Sequence, residues 1–524
     1  MKREAWDLVR LETRGLTVAY WAAAGAFALA YWLTPLPPCI DYPQHLALGA
    51  LMRRLLDPSS PERLVYQVTP LTYNGLFHVL VAGLSLLMPP EVGGKLILSA
   101  VVILTAGAFL ELVRLGDRPR WYAFLLLPFC YSHITGWGFV NYTLGVPIAL
   151  LVFVWWMRWR DGERKLVARI VVGALLLAYA HVLAMLCLCV SVGVALLSSR
   201  PPRERGFPSW VKATLTDPWP LLPAAAFSIL VFLVHRSAPH IYWEPVKDGT
   251  DIAAYQKLRY LSTFAVSNLA NYWDQVLFWA AAAVFALVAV APLVNGPAEP
   301  ARPELRALAV VWGLLYLLVP RVMMSTWYIF ERIPVVWFAF VAAGLPRASA
   351  GLGGPLSQVA ATIGLAAGLN TAQAFYRVPD ARDASAIIDD IPPAAKVVAV
   401  MHGQGAAPAI WRQIWVHLLG YHLVRHPGEI AFDFTRYASL PVRRRDAELG
   451  PLFPSGLEWN PGLFDPTAAY AGKYNLVLVR TPDDAPAEDP RRLTFGAYAT
   501  DVRLLSHRGR FWLFDSSPMH VNGP

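Results

Sequence analysis

Residues 34–56 read TPLPPCIDYPQHLALGALMRRLL. Pro35, Pro37 and Pro38 end whatever helix precedes them, and Pro43 can open a new one in its first turn. Asp41 stands two residues ahead of that proline, where a carboxylate can cap the new helix. Leu46, Leu48, Leu51, Leu55 and Leu56, with Arg53 and Arg54, make the following stretch amphipathic and suit a helix lying in a membrane interface. Two readings of Asp41 stand side by side. It caps a surface helix, or it is held at the bilayer surface to deprotonate a hydroxyl beside a lipid-borne substrate. His45, one helical turn on, is placed to share a proton or a metal with it.

Outward from this stretch the chain is apolar. An uncharged run at 16–34 precedes it, and the 524 residues are 56% hydrophobic and 15% charged, with a mean hydropathy of +0.42. Soluble chains carry about a quarter charged residues, so a soluble enzyme is excluded, and 20 Trp, 21 Tyr and 24 Phe exclude disorder. The first apolar run is too long for a signal peptide and is read as the first span. Further runs of spanning length fall at 96–113, 121–134, 137–157, 219–234 and 276–294, with shorter ones at 307–320, 333–346 and 356–372. GLGGP at 351–355 and NGPAEP at 295–300 read as loops.

Charge divides the chain near residue 376. From Tyr376 to Pro524 there are 16 basic and 16 acidic residues, so the whole +9 excess lies in the first 375. Two topologies compete. Residues 74–88 cross the membrane and 166–198 form one helix, or 74–88 only dip into the outer leaflet and 166–198 turn back near His181. Only the second puts Arg114, Arg118, Arg120, Arg169 and the RWRDGERK cations (158–165) inward with Lys2, Arg3, Arg10 and Arg14. It predicts an α-helical polytopic membrane protein with about eleven transmembrane helices. The N-terminus is cytoplasmic, and the outer loops are 35–95, carrying interfacial helices, and 235–275. The transmembrane body is 1–375, and 376–524 form a soluble extracytoplasmic (periplasmic) α/β domain, with strands expected at YNLVLVR (474–480) and RGRFWLFD (508–515).

An inward-starting first span, a long outer loop opening on an acidic residue, interfacial helices and a hydrophobic multi-span body resemble the GT-C superfamily of membrane glycosyltransferases. That superfamily includes dolichyl-phosphate-mannose mannosyltransferases and the aminoarabinose transferases of lipid A. The resemblance implies an inner-membrane enzyme that moves a sugar from a polyprenyl-phosphate carrier to a glycan, lipid or protein acceptor outside the cytoplasm. It implies that Asp41 of DYPQH is the catalytic acidic residue, acting as base. Many members carry two acidic residues at this place, whereas this chain carries one. A divalent ion, Mg or Mn, on Asp41 and His45 is the expected cofactor, if there is one.

Other polar residues at the outer ends of spans complete the candidate set. Tyr42, Gln44 and His78 flank the acidic stretch and its return segment. His133 and Asn141 lie in YSHITGWGFVNYT, a turn whose glycines let backbone approach a ligand. His181 is an ionisable group in an apolar run, a functional hypothesis by default, though a helix–helix hydrogen bond serves equally. His235, Arg236, His240, Trp243, Glu244 and Lys247 mix aromatics with charge, as a sugar-phosphate pocket or an interfacial belt would. Arg321 and Arg332 bracket MMSTWYIFE and are candidates to clamp a lipid phosphate, with pairing to Glu331 or snorkelling as the plainer role for Arg332. His422 and His426 sit at i, i+4 in a segment read as helical, 409–426, and lack a third ligand. Cys39 and Cys130 both fall near the outer face, where a disulfide is permitted. No nucleotide fingerprint is present, and the positive charge is an orientation signal with no nucleic acid implied. A transporter or flippase, and a non-catalytic cell-envelope assembly protein, are the competing functions. The first is disfavoured by the lack of an internal repeat.

Overall fold

The computed structural model describes residues 2–199, 211–212, 215–235, 252–295, 301–323, 326–348, 350–405, 409–437, 440–445, 453–454, 456–468, 473–484 and 488–518, with side chains from Arg14 onward. Arg236, His240, Trp243, Glu244 and Lys247 of the second long loop lie outside these residues, as does the side chain of His235.

The body is a bundle of helices with two distinct ends. Helix α1 (Lys2–Ala30) runs up to the proline stretch, and α2 (Tyr42–Leu55) follows it. The next segment forms only a short helix, α3 (Leu76–Leu84), too short to cross a bilayer. Helix α4 (Pro90–Leu115) then descends beside α1, with Trp32 Nε1 on Ser99 Oγ near one end and the Tyr20 hydroxyl on the Ala106 carbonyl lower down. A 3-10 helix, Arg120–Tyr131, climbs back. Its tighter winding lets 12 residues cover about 24 Å. A five-residue helix, α5 (His133–Trp137), turns the chain into α6 (Val140–Arg160).

The 166–198 run is a hairpin of α7 (Val167–Ala180) and α8 (Val182–Ser198). His181 breaks it with an extended backbone, φ −167° and ψ 127°. A Cβ on Gly173 would press on Val152 and one on Gly145 on Ala184, so both arms lie along α6 through its small residues. Ser199 Oγ meets the Arg160 guanidinium at the far end, so the second arm has returned. This is the arrangement that gathers these cations at one end of the bundle. Glu111 takes both Arg114 and Arg158, Asp217 takes Arg160, and Asp161 takes Arg302.

Among the described residues four helices are long and apolar enough to cross a membrane: Pro90–Leu115, Val140–Arg160, Trp273–Leu293 and Leu352–Tyr376. The shorter helices Leu222–His235, Pro303–Leu318 and Ile333–Gly344 complete the body. GLGGP, expected as a loop, instead begins the helix Ala350–Tyr376. Gly353 and Gly354 themselves face open space, and the helix is held further along, where Gly364 and Gly368 fit closely against Phe124 and against Ala23 and Ala26 of α1.

At the end opposite the paired cations sits a five-stranded sheet in the order β3-β2-β5-β7-β6. Strand β2 (Lys396–Met401) runs parallel to β3 (Glu429–Ile430) and β5 (Leu476–Arg480), and the hairpin β6 (Arg503–Arg508) with β7 (Phe511–Asp515) adds antiparallel to β5. The sheet region is joined to the first loop by an antiparallel ladder between β1 (Tyr66–Val68) and β4 (Val442–Arg444). This contact corrects the interfacial reading of α2. From Tyr42 to Met52 every α2 residue is buried, under α3 on one side and the helix Gly420–Arg425 on the other. Gly420 comes so close that a Cβ there would lie 2.6 Å from the Pro43 carbonyl carbon. Arg54 pairs with Glu62 and donates to the Leu423 and Val424 carbonyls. The 409–426 segment is helical only over Gly420–Arg425. The residues before it fold as turns that carry side chains back onto the body. Cys39 and Cys130 are buried and free.

Candidate functional site

Asp41 is placed by backbone. Ile40 N–H donates to the Gly136 carbonyl (3.1 Å) and Asp41 N–H to the Trp137 carbonyl (2.9 Å), so the acidic stretch is laid against α5. Gly138 makes this approach possible. Its φ is +82°, and a Cβ would stand 2.8 Å from the Asp41 nitrogen and 2.6 Å from that of Tyr42. The glycine-rich turn thus admits the acidic loop's own backbone. Gly138→Ala is expected to cost about 1–2 kcal/mol from the left-handed conformation alone, and more from the clash. Thermal unfolding in detergent checks it, and an unchanged midpoint would contradict this account.

The Asp41 carboxylate makes no capping bond to α2, although its residue is the N-cap. It stands instead 3.3 Å from Nε2 of His417, a buried histidine from the turns ahead of Gly420–Arg425. The imidazole of His417 stacks on Phe432 at 5.1 Å. His45 Nδ1 lies 3.1 Å from His78 Nε2. Burial lowers the His45 ring to about 4, with Asp41 opposing and His417 adding to the shift. The unfolded chain takes up this proton near pH 6.5, and the folded one refuses it until pH 4. Stability therefore falls as pH drops through that window, by about 3 kcal/mol at its lower end. Melting temperatures at pH 7.5 and 5.0 test this, and His45→Asn should flatten the slope. Identical slopes in the two proteins would refute the assignment.

Arg332, just ahead of the helix Ile333–Gly344, is buried and makes no ion pair among the described residues. Its guanidinium lies over the rings of Phe139 (4.5 Å) and Tyr142 (5.0 Å), and the Tyr142 hydroxyl donates to its carbonyl. Its Nη1 is 3.4 Å from His181 Nε2. His181 Nδ1 accepts the Leu183 N–H, which caps α8. In the neutral ring the proton then sits on Nε2. Two donors therefore face each other with no acceptor between them. Arg332 Nε and Trp327 Nε1, both buried, also have no partner. Asp41 is near enough for its charge to act on Arg332.

Between these two groups lies an aromatic wall. Tyr328 packs on Trp137 at 4.4 Å and on Phe139, and Trp459 closes on Trp137 from the sheet side. Tyr328 has a φ of +61°, a strained value for a bulky residue. Arg321 covers its ring and pairs with Glu331 at 2.9 Å. Burial raises the Glu331 carboxyl to about 7, with Arg321 resisting.

Asp41, His45, His181, Arg321 and Arg332 thus share one end of the bundle. Glu331 is taken by Arg321, which leaves Arg332 without the carboxylate considered for it. The remaining candidates hold segments together. Gln44 donates to the Phe432 carbonyl and accepts the Phe434 N–H. The Asn141 carbonyl accepts the Phe77 N–H at 3.0 Å. Tyr42 is buried against Phe77 and Tyr421. His133 is engaged by Arg412, which also donates to Asn268 and the Ser267 carbonyl, and by Trp137 Nε1. Sequence reasoning passed over His417, Arg412, Trp327, Tyr328 and Trp459. His417 and Arg412 lay in a segment judged on His422 and His426 alone.

No three His, Cys, Asp or Glu side chains come together as an ion site among the described residues. His45 Nδ1 is taken up with His78, and no third such ligand joins Asp41 and His45 among the described residues.

No protein-family model and no curated protein matches the sequence. Among solved structures the chain is similar to ArnT from Cupriavidus metallidurans in the apo state, with a TM-score of 0.57 and 11% identity, covering 98% of this chain and 100% of that one. It is likewise similar to ArnT bound to undecaprenyl phosphate, with a TM-score of 0.56 and 11% identity over 97% and 99% of the two chains. The chain therefore shares the fold of these structures along nearly its whole length.

Proposed function

We propose that the chain is a membrane glycosyltransferase that moves a sugar from a polyprenyl-phosphate carrier to an acceptor hydroxyl. The observation that carries this reading is Arg332. A buried cation with no carboxylate is costly, and the His181 N–H beside it adds a second donor aimed at the same place. A phosphate oxygen supplies the missing acceptor, and the guanidinium fits it bidentately. The shared fold with a protein bound to undecaprenyl phosphate supports the same ligand class.

In this reading the sugar ring stacks on Tyr328 and Trp137. Asp41 accepts the proton of the acceptor hydroxyl as its oxygen bonds the anomeric carbon. The bond from that carbon to the phosphate oxygen breaks, and the lipid phosphate leaves against Arg332 and His181. Attack from the side opposite the leaving phosphate inverts the anomeric centre. The site end of the bundle faces outward, with the N-terminus and the paired cations cytoplasmic and about eleven segments crossing. A Mg or Mn ion would have Asp41 alone as a hard protein ligand, and no step is routed through one. Native mass spectrometry of the purified chain with undecaprenyl phosphate tests the phosphate site. A retained adduct is expected, and equal retention after Arg332 is replaced would overturn the assignment.

A further inference from the structure

His417 has one nitrogen to spare. Its Nε2 faces Asp41 at 3.3 Å, while Nδ1 is buried without a partner. A neutral imidazole that gives its proton to a carboxylate leaves the other nitrogen an acceptor in need of a donor. The ring lines a small cavity of about 20 Å³, together with Gln44, Phe432 and Glu458. That is room for one water. Gln44 has nothing left to offer this cavity, since both ends of its amide are bonded to backbone. Glu458 does, because its Oε2 is buried with no partner. Gln404 fixes the carboxylate's base by donating to the Glu458 and Trp459 carbonyls. Two orphaned atoms on two titratable groups thus border a cavity of one-water size.

We propose that a water in this cavity bridges His417 Nδ1 to the Glu458 carboxyl, making Glu458 a positioning residue that governs Asp41 through His417. The water donates to Nδ1 and so keeps the His417 proton on Nε2, against Asp41. With Nε2 held as the donor, the ring keeps the Asp41 carboxylate in one orientation. The titratable groups facing His417 are Asp41 and His45 on the α2 side and Glu458 on the loop opposite. The inference rests on the reading of Asp41 as base, and it assigns the sheet region a part in the chemistry.

The test is solid-state NMR on the full chain in lipid with 15N-labelled histidine, the His417 signal being identified by its loss in His417→Gln. The expected neutral ring carries its proton on Nε2 and receives magnetisation from a bound water, and Glu458→Leu, which offers that water no acceptor, should lose the transfer. A proton on Nδ1, or transfer unchanged in Glu458→Leu, overturns the proposal. Should Glu458→Leu fail to fold, the unsubstituted protein decides it alone, and no transfer from water refutes it. Sugar transfer by Asp41→Asn is scored separately. Full transfer there sinks the base reading, while a dead Asp41→Asn with no water transfer to the His417 ring sinks only the bridge.

Discussion

Asp41→Asn should abolish sugar transfer, with a loss of roughly a hundred- to ten-thousand-fold, while the protein remains folded. The substitution keeps size and shape and removes only the ability to take a proton. The asparagine oxygen can still accept from His417 Nε2, so that contact is kept. The helix α2 is not capped by this side chain, and the backbone bonds of Ile40 and Asp41 to α5 are untouched by it. Transfer of 14C from a metabolically labelled polyprenyl-phosphate pool in membrane vesicles is the measurement, with melting temperature as the control for folding. Transfer at the original rate would remove the enzyme reading and return the assembly-protein alternative to first place.

Arg332→Met should separate function from stability in the opposite direction. Arg332 pays a desolvation cost that Glu331 and Asp41 offset only through space, since neither pairs with it, and the rings of Phe139 and Tyr142 recover only part of the rest. Methionine fills the same space without a charge, so the protein should gain about 1–4 kcal/mol, by analogy with replaced buried ions. Undecaprenyl phosphate binding should weaken by about ten- to a hundred-fold, the worth of a hydrogen bond to a charged group. A higher melting temperature with weaker lipid binding is the signature of a residue kept for its ligand. If Arg332→Met destabilises the chain and leaves the lipid bound, Arg332 is a structural cation and the phosphate lies elsewhere.

Much of the membrane body was legible because its signals are local. Apolar runs mark helices, prolines mark where they stop, and like charges collect at one end. The RWRDGERK cations and their neighbours favoured the hairpin at His181, and Ser199 meeting Arg160 bears that geometry out. The sheet was readable in the same way, since KVVAVM and NLVLVR carry the composition of buried strands. The site was only half readable. Asp41, His181 and Arg332 stood out as ionisable groups at the ends of apolar runs. His417 did not, because its meaning depends on a contact across 376 positions in the chain. The interfacial reading of α2 failed for a related reason. Amphipathic spacing says that one face is buried, and it does not say that a second surface will cover the other.

The sequence alone determined that this chain is helical, that it lives in a membrane, and that an acidic residue opens its first long loop. These follow from composition and period, which are properties of neighbours along the chain. The tertiary structure decided what the acid faces. It laid Gly138 against the backbone of Asp41, turned His417 onto the carboxylate, and left Arg332 without a counterion beside a second donor. Each of these depends on segments far apart in the chain being brought within about 3 Å, the reach of a hydrogen bond. No local pattern encodes that reach. It comes from burying the first loop between the bundle and the sheet, which leaves a charged group only the partners that fold into range.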